Sequence, residues 1–181
     1  MPRTIEQIST RIAYQSRWMT VREDAVRFPD GSPGTFSVVD KGEFAVIVPI
    51  HSDGRIQLVS QYRYPVQGRY WEVPQGGWED RPDADPADLA RGELEEETGL
   101  RAGRMERIGR YHQAPGYCSQ GYTLFVARDL TPGTLNREHA EQDMETAAFP
   151  LPDLLAMIED GRMRDTTSLA AIGLLRLKNL L

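Results

Sequence analysis

The chain has 181 residues, which suits one compact domain, alone or with a small appendage. Its 27 acidic residues outnumber its 21 basic ones, the formal net charge is −6, and the basic residues are scattered, so we expect no nucleic acid as a partner. No run of about 18 apolar residues is present, and residues 1–10 lack the apolar core of a signal peptide. We therefore expect a cytoplasmic protein without a membrane partner.

The first predicted elements are strands. Residues 18–40 alternate in short runs around the turn sequence PDGSPG, a pattern typical of a β-hairpin. We therefore predict a β-rich extension at residues 1–42 and a main domain at residues 43–181. Apolar runs at residues 44–50 and 56–62 are joined by a Ser-Asp-Gly turn, and we place both as buried strands of one central sheet.

A short strand at residues 70–73 runs into the sequence PQGG, which breaks regular structure. A helix is predicted over residues 87–98, with Asp85 as its N-cap, Pro86 at the first helical position and Gly99 after its end. Further strands are expected at 107–112, 122–127 and 146–149, and further helices at 153–159 and from about 167 to 178. This order predicts an α/β or α+β sandwich with a mixed sheet.

Three glutamates share one face of the predicted helix at residues 87–98. Glu93, Glu96 and Glu97 stand at i, i+3 and i+4, so their carboxylates project within one turn and repel each other. Such a run taken alone is more often a solvated helix face. The Pro-Gln-Gly-Gly loop before the helix favours a metal site, because such a turn presents carbonyl oxygens beside side-chain carboxylates. We therefore predict a Mg²⁺ or Mn²⁺ site shared with a diphosphate.

The same segment resembles the sequence box of the Nudix hydrolases, whose second half is R-E-U-x-E-E-x-G-U, with U a bulky apolar residue. The matching residues are Glu93, Leu94, Glu96, Glu97, Gly99 and Leu100, with Gly76 at the opening of the box. The loop between the two halves is longer than in the family, and Asp83 and Asp85 are the acids nearest to the first box glutamate. Gly92 replaces the box arginine, which orients the catalytic helix and loop in the family; Arg91 and Arg81 are neighbouring candidates to substitute for it.

The resemblance extends over most of the chain and is closest to the ADP-ribose pyrophosphatase branch. LVSQYRYPV at residues 58–66 and the following WEVPQGG are similar to LVRQYRYPV and WELPAG of that branch. APG at residues 114–116 is similar to its SPG motif, and residues 161–172 are similar to its closing helix. Gln75 and Gln120 replace an alanine and a glutamate of the branch.

The resemblance implies roles for individual residues. Glu93 and Glu97 act as catalytic metal ligands, Glu96 completes or orients the site, and the main-chain carbonyl of Gln75 adds a ligand. The metal neutralises the diphosphate and activates water. The general base comes from the acidic loop at residues 137–145, where Glu141 is our first choice ahead of the other acids, Glu138, Asp143 and Glu145.

Substrate contacts are implied in the same way. Arg63 is expected to bind phosphate, because a guanidinium fork matches phosphate oxygens; the alternative is a surface charge at a strand end. Glu72, Pro115 and Gly116 complete the predicted substrate-binding residues.

The resemblance implies an α/β/α Nudix sandwich with an N-terminal hairpin extension that supports a homodimer. It also implies hydrolysis of ADP-ribose or a related nucleoside diphosphate sugar to a nucleoside monophosphate and a sugar phosphate. Three alternatives stay open. The PQGG sequence and Gln120 suggest dinucleoside polyphosphates or nucleoside triphosphates as substrates. Gly92 in place of the box arginine suggests a nucleotide-sensing domain without catalytic activity. The third alternative is an acidic interaction domain that binds no metal.

Overall fold

The computed structural model describes residues 4–78, 81, 83–137 and 139–181. Its strands are β1 Glu6–Gln15, β2 Thr20–Arg27, β3 Pro33–Asp40, β4 Phe44–Pro49, β5 Ile56–Arg63, β6 Gly68–Glu72, β7 Gln75–Gly76, β8 Leu100–His112, β9 Gly121–Pro132 and β10 Glu145–Phe149. Its α-helices are α1 Pro86–Thr98, α2 Leu151–Glu159 and α3 Thr166–Leu177. Every strand and helix expected from the sequence is therefore present. No helix in this part of the chain is long and apolar enough to cross a bilayer.

The described residues form two compact units. The first takes the chain up to Glu43 together with His112–Tyr122, and the second takes Phe44–Tyr111 and Thr123–Leu181. Of β8 and β9, only His112, Gly121 and Tyr122 are counted in the first unit. All the glutamates of the predicted metal site belong to the second unit.

The first unit contains a three-stranded antiparallel sheet in the order β1-β2-β3. Strands β2 and β3 pair from Thr20↔Asp40 to Arg27↔Pro33, which confirms the predicted hairpin. The sequence did not predict β1, although it pairs with β2 over its length. All ten residues of β1 are exposed, so the strand has no buried face and lacks the apolar alternation by which strands are recognised.

The second unit has two sheets, in the orders β10-β5-β6 and β7-β4-β9-β8. The prediction that residues 44–50 and 56–62 lie in one central sheet is wrong, since β4 and β5 belong to different sheets; an isolated bridge joins Ile50, just after β4, to Ile56 at the start of β5. Both strands are almost entirely buried. A continuous apolar run shows that a strand is covered on both faces, and it carries no information about the sheet in which the strand pairs.

Helix α1 begins and ends as the sequence predicts. The Asp85 side chain accepts a hydrogen bond from Ala87 N at 2.7 Å, Pro86 occupies the first turn, and Gly99 ends the helix with φ 69°. The buried residues Leu89, Ala90 and Leu94 pack with Ala45, Ile47, Phe125 and Ala127 in one hydrophobic cluster. This packing fixes the rotation of α1 and therefore the direction of its glutamates.

Candidate functional site

The loop at residues 74–78, which precedes α1, is held against β4 by the backbone of its first three residues. Ile47 N donates to Pro74 O at 2.9 Å, and β7 pairs antiparallel with β4 at Val46↔Gln75 and Ala45↔Gly76. A Cβ atom on Gly76 would collide with the carboxylate of Glu93. Glycine at this position therefore allows the main chain to approach the Glu93 carboxylate closely.

Glu97 is the most constrained acid of the site. It is 1% exposed, and its Oε2 accepts a hydrogen bond from Gln75 N at 3.2 Å. Its Oε1 is buried and has no hydrogen-bond partner within the described residues. Burial, followed by the charges of Glu93, Glu141 and Glu72, raises the pKa of Glu97 well above its ordinary value.

The chemistry of these groups fits a hard divalent cation. A buried carboxylate oxygen without a partner is costly, and oxygen ligands are what Mg²⁺ prefers. No three His, Cys, Asp or Glu side chains of the described residues converge into a complete metal cage. Mg²⁺ usually takes only one or two protein carboxylates and completes its shell with water and substrate oxygens, so the arrangement suits that ion.

The three helix glutamates are not equivalent. Glu93 and Glu97 are buried on the side of α1 that faces the loop, whereas Glu96 is only partly buried. The Glu96 carbonyl accepts a hydrogen bond from Asn136 N at 3.3 Å, which joins α1 to the segment leading into the acidic loop. The structure therefore brings Glu93 and Glu97 to the loop, and the metal role of Glu96 stays a prediction.

The acidic loop at residues 137–145 is tied to α1 by Arg137. The Arg137 guanidinium donates twice to the main-chain carbonyl of Glu97, at 3.3 Å from Nε and from Nη2, and also donates to Met144 O. Glu141 lies between these attachment points, and its charge contributes to the raised pKa of Glu97. The charge of Glu141 therefore acts on Glu97, and its role as the general base stays a prediction.

The other acids of this loop are placed differently. Asp143 pairs with Arg69, whose guanidinium also donates to the carbonyls of Ser60 and Asp143. Glu145 is exposed at the start of β10. Glu138 lies outside the described residues. Of the candidate bases, Glu141 is therefore the one that the described structure associates with Glu97.

Arg63 and Glu72 form a bidentate ion pair. Arg63 Nε and Nη2 donate to the two Glu72 oxygens at 2.9 and 2.6 Å. Glu72 is 1% exposed, and burial raises its pKa although the Arg63 hydrogen bonds oppose the shift. The pair fixes the plane of the guanidinium and leaves its other N–H groups for an anion.

Gln75 takes part through its side chain as well as its backbone. Its Nε2 donates to Glu72 Oε2 at 2.7 Å and to Asp165 Oδ2 at 3.0 Å. Asp165 caps α3 by accepting a hydrogen bond from Ser168 N at 2.8 Å. The side chain of Gln75 therefore connects the loop to both Glu72 and α3.

Pro115 and Gly116 belong to the first unit. They lie exposed in a tight turn in which the N–H groups of Tyr117 and Cys118 donate to Ala114 O. Gln120 is buried, and its Nε2 donates to Gly42 O at 2.7 Å, which is a structural contact within the same unit. The substrate-binding roles of Pro115 and Gly116 stay predictions.

Three residues of this region were not found from the sequence. Asp165 has a detectable signal, since the D-x-x-S pattern of a helix N-cap at residues 165–168 marks the start of α3. Arg137 has none, because its bonds to Glu97 O and Met144 O depend on tertiary structure. Trp78 has none either, because its packing against Gly92 depends on tertiary structure.

Comparison with known families gives consistent matches. A model described as "NUDIX domain" matches residues 41–170, and a model described as "Nucleoside diphosphate sugar hydrolase N-terminal domain" matches residues 5–39. Together the two matches cover most of the chain.

Individual relatives span nearly the whole chain. An ADP-ribose pyrophosphatase of Mycobacterium tuberculosis is 29% identical over 92% of this chain and 81% of its own length. The CMP-5'-(N-acetyl-N-hydroxy-3-aminopropyl)phosphonate hydrolase of Streptomyces rubellomurinus is 31% identical over 91% of this chain and 78% of its own length. A crystal structure of an ADP compounds hydrolase aligns with a TM-score of 0.85 at 23% identity, covering 96% of this chain and 93% of that one, which confirms the predicted fold.

We predict that Glu97→Gln stabilises the metal-free protein, and more so as the pH rises. The folded-state pKa of Glu97 is raised, so the wild-type protein loses stability as the pH rises from the ordinary carboxyl range through that raised value. The variant cannot ionise there. Its melting temperature in EDTA should exceed that of the wild type by about 2–4 °C for each kcal/mol recovered, with the difference growing from about pH 5 upward.

The control is Glu95→Gln on the same helix. The Glu95 carboxylate bonds Arg101, and this hydrogen bond lowers the pKa of Glu95, so no such growth with pH is expected. A melting-temperature difference for Glu97→Gln that does not change with pH would contradict the raised pKa.

Proposed function

The chain belongs to the Nudix family of hydrolases, and we propose that it hydrolyses the diphosphate linkage of ADP-ribose or a related nucleoside diphosphate sugar. The products are a nucleoside monophosphate and a sugar phosphate. The observation that carries the proposal is the buried Glu97, whose Oε1 has no partner within the described residues and whose neighbours include Glu93 and the backbone of Gln75. The names of the relatives and of the N-terminal family model support the substrate class.

The metal we propose is Mg²⁺ or Mn²⁺. Glu93 and Glu97 would hold it, with the Gln75 carbonyl as a further ligand and Glu96 orienting the site. When bound, such an ion neutralises diphosphate charge and lowers the pKa of a coordinated water. The buried, mutually repelling carboxylates provide the negative charge that retains a cation.

The remaining roles belong to side chains around the carboxylates. Glu141 accepts the proton of the attacking water, because the loop fixed by Arg137 keeps it near Glu97. Arg63, oriented by Glu72, binds phosphate oxygens with the N–H groups that Glu72 does not use. For Pro115 and Gly116 we propose substrate binding on the family resemblance alone.

Turnover tests the substrate class. The wild-type protein is incubated with ADP-ribose, a nucleotide sugar, a dinucleoside polyphosphate or a nucleoside triphosphate, each with Mg²⁺ or Mn²⁺, and products are separated by chromatography. We expect a nucleoside monophosphate from ADP-ribose or the nucleotide sugar, and at least about a hundredfold loss of kcat in Glu97→Gln. Preferred cleavage of the polyphosphates would replace the substrate assignment, and binding without turnover of any compound would identify a sensing domain.

Replacement of Glu141 tests the base. Glu141→Gln should lower kcat about 10²–10⁴-fold, the range typical of a lost general base, without weakening Mn²⁺ binding. Glu145→Gln is the matched control, since Glu145 is an exposed glutamate of the same segment and should leave kcat unchanged. Equal effects of the two changes would remove Glu141 from the mechanism.

We also propose a homodimer formed through the N-terminal sheet. Strand β1 is wholly exposed, and Ile8, Ile12 and Tyr14 expose 49%, 61% and 56% of their surface. Apolar side chains grouped on an exposed strand are typical of an interface.

Light scattering coupled to gel filtration measures the assembly. We expect twice the chain mass for the wild type and a monomer for the double variant Ile8→Glu/Ile12→Glu. Leu177→Glu removes an exposed leucine from α3 and should remain dimeric. A monomeric wild type would contradict the proposal.

Other partner predictions still rest on composition. The net charge of −6 supports the absence of nucleic acid as a partner, and the sequence supports a cytoplasmic location without a membrane partner. The boundary between an extension at residues 1–42 and a Nudix domain at residues 43–181 also stays a proposal.

A further inference from the structure

Gly92 lies in α1 directly before Glu93, and it has no room for a side chain. A Cβ atom at this position would collide with Cζ2 of Trp78 and would lie 3.0 Å from Cη2 and 3.3 Å from Cε2 of the same ring. These atoms belong to a rigid indole, so rotation of a flexible chain end cannot relieve the collision. The glycine and the tryptophan therefore fit each other as a pair.

The indole is held in this place by its surroundings. Trp78 is partly buried and packs against the cluster that contains Leu94 and Phe125. The guanidinium carbon of Arg81 lies 3.6 Å from the centroid of the indole ring, a cation–π contact. The indole ring therefore contacts the hydrophobic cluster and also stacks with the Arg81 guanidinium. It would lose these contacts if it moved away from Gly92.

Trp78 also joins the two parts of the carboxylate site. It follows Gly76 by two residues, and Gly76 is the point where the loop meets the Glu93 carboxylate. Its ring touches α1 at the residue immediately before Glu93. The contact between Trp78 and Gly92 therefore fixes the loop against the helix on the side where Glu93 emerges.

We propose that Trp78 is a positioning residue for the Glu93–Glu97 site and that glycine at residue 92 leaves the space that the indole ring occupies. Of the two neighbouring arginines, Arg91 donates to Ala102 O at 2.8 Å and is used elsewhere, whereas Arg81 acts by stacking on Trp78. The inference rests on the proposed function only in taking Glu93 and Glu97 as the metal ligands. It implies that an arginine introduced at residue 92, which restores the family box, damages the site instead of improving it.

The test is a double-mutant cycle with Trp78→Ala, Gly92→Arg and the double variant. The first readout is the affinity for Mn²⁺ alone, measured by electron paramagnetic resonance of free Mn²⁺. The second is the split between kcat and KM on ADP-ribose. Melting temperature and circular dichroism record folding, and Gly92→Ala, which adds only the colliding Cβ, serves if Gly92→Arg does not fold.

Each single variant should weaken Mn²⁺ binding about 10–100-fold, the usual cost of losing support behind metal ligands. The two losses of Mn²⁺ affinity should not be additive. Because removal of the ring makes room for a side chain at residue 92, the double variant should bind Mn²⁺ better than Gly92→Arg does. Trp78→Phe, which keeps an aromatic ring, should bind within about threefold of the wild type. In active variants kcat should fall more than KM rises. The metal ligands Glu93 and Glu97 are displaced in these variants, whereas the phosphate-binding Arg63 is not.

The matched control is Gly173→Arg. Gly173 is an exposed helical glycine of α3 whose Cβ would meet nothing within 4 Å, so this change should leave Mn²⁺ affinity, kcat and melting temperature unchanged. A Gly92→Arg protein as unaffected as Gly173→Arg would overturn the inference. So would additive losses, or a wild type that does not bind Mn²⁺.

The two proposals can fail separately. An inactive wild type whose Mn²⁺ affinities follow the cycle would remove the hydrolase function and keep the positioning role. An active wild type with equal Mn²⁺ affinity in all four proteins would keep the function and remove the role of Trp78.

Discussion

The buried carboxylate of Glu97 is the constraint on which the rest of the site depends. A charge that is 1% exposed and lies near Glu93, Glu141 and Glu72 opposes folding unless its position serves another purpose. Helix capping and core packing supply the free energy that holds the Glu97 carboxylate in its buried position. Capping by Asp85 and Gly99 fixes the ends of α1, and the buried apolar side of the helix turns Glu97 inward. The repulsion among these carboxylates is what a bound divalent cation would relieve.

Three arginines of the second unit, Arg63, Arg69 and Arg137, form no hydrogen bond with the Glu97 carboxylate in the described structure. Arg137 donates to the main-chain carbonyl of Glu97, Arg63 pairs with Glu72, and Arg69 pairs with Asp143. Each therefore fixes a segment or a neighbouring acid, while Glu97 Oε1 keeps no hydrogen-bond partner in the described structure. A guanidinium placed on Glu97 itself would have lowered the repulsion and also removed the affinity for a metal.

The parts of the fold that the sequence predicted are those with local causes. Asp85, Pro86 and Gly99 determine the ends of α1, and the i, i+4 spacing of Glu93 and Glu97 determines that both face one side. Pairing between distant segments was not predictable in this way: β1 has no buried face, and β4 and β5 join different sheets. The bidentate bond of Arg63 to Glu72 likewise depends on the pairing of β5 with β6.

Two of the departures from the family box and branch, Gln75 and Gly92, have one structural consequence. Gln75 replaces an alanine and bonds Glu72 and Asp165, which ties the loop before α1 to β6 and to the start of α3. Gly92 replaces an arginine and admits Trp78, which ties the same loop to α1. The segment from Gln75 to Trp78 is thus held at both of its ends. Gln75 N also donates a hydrogen bond to Glu97, so the residue whose side chain bonds Glu72 and Asp165 contacts the buried carboxylate with its backbone.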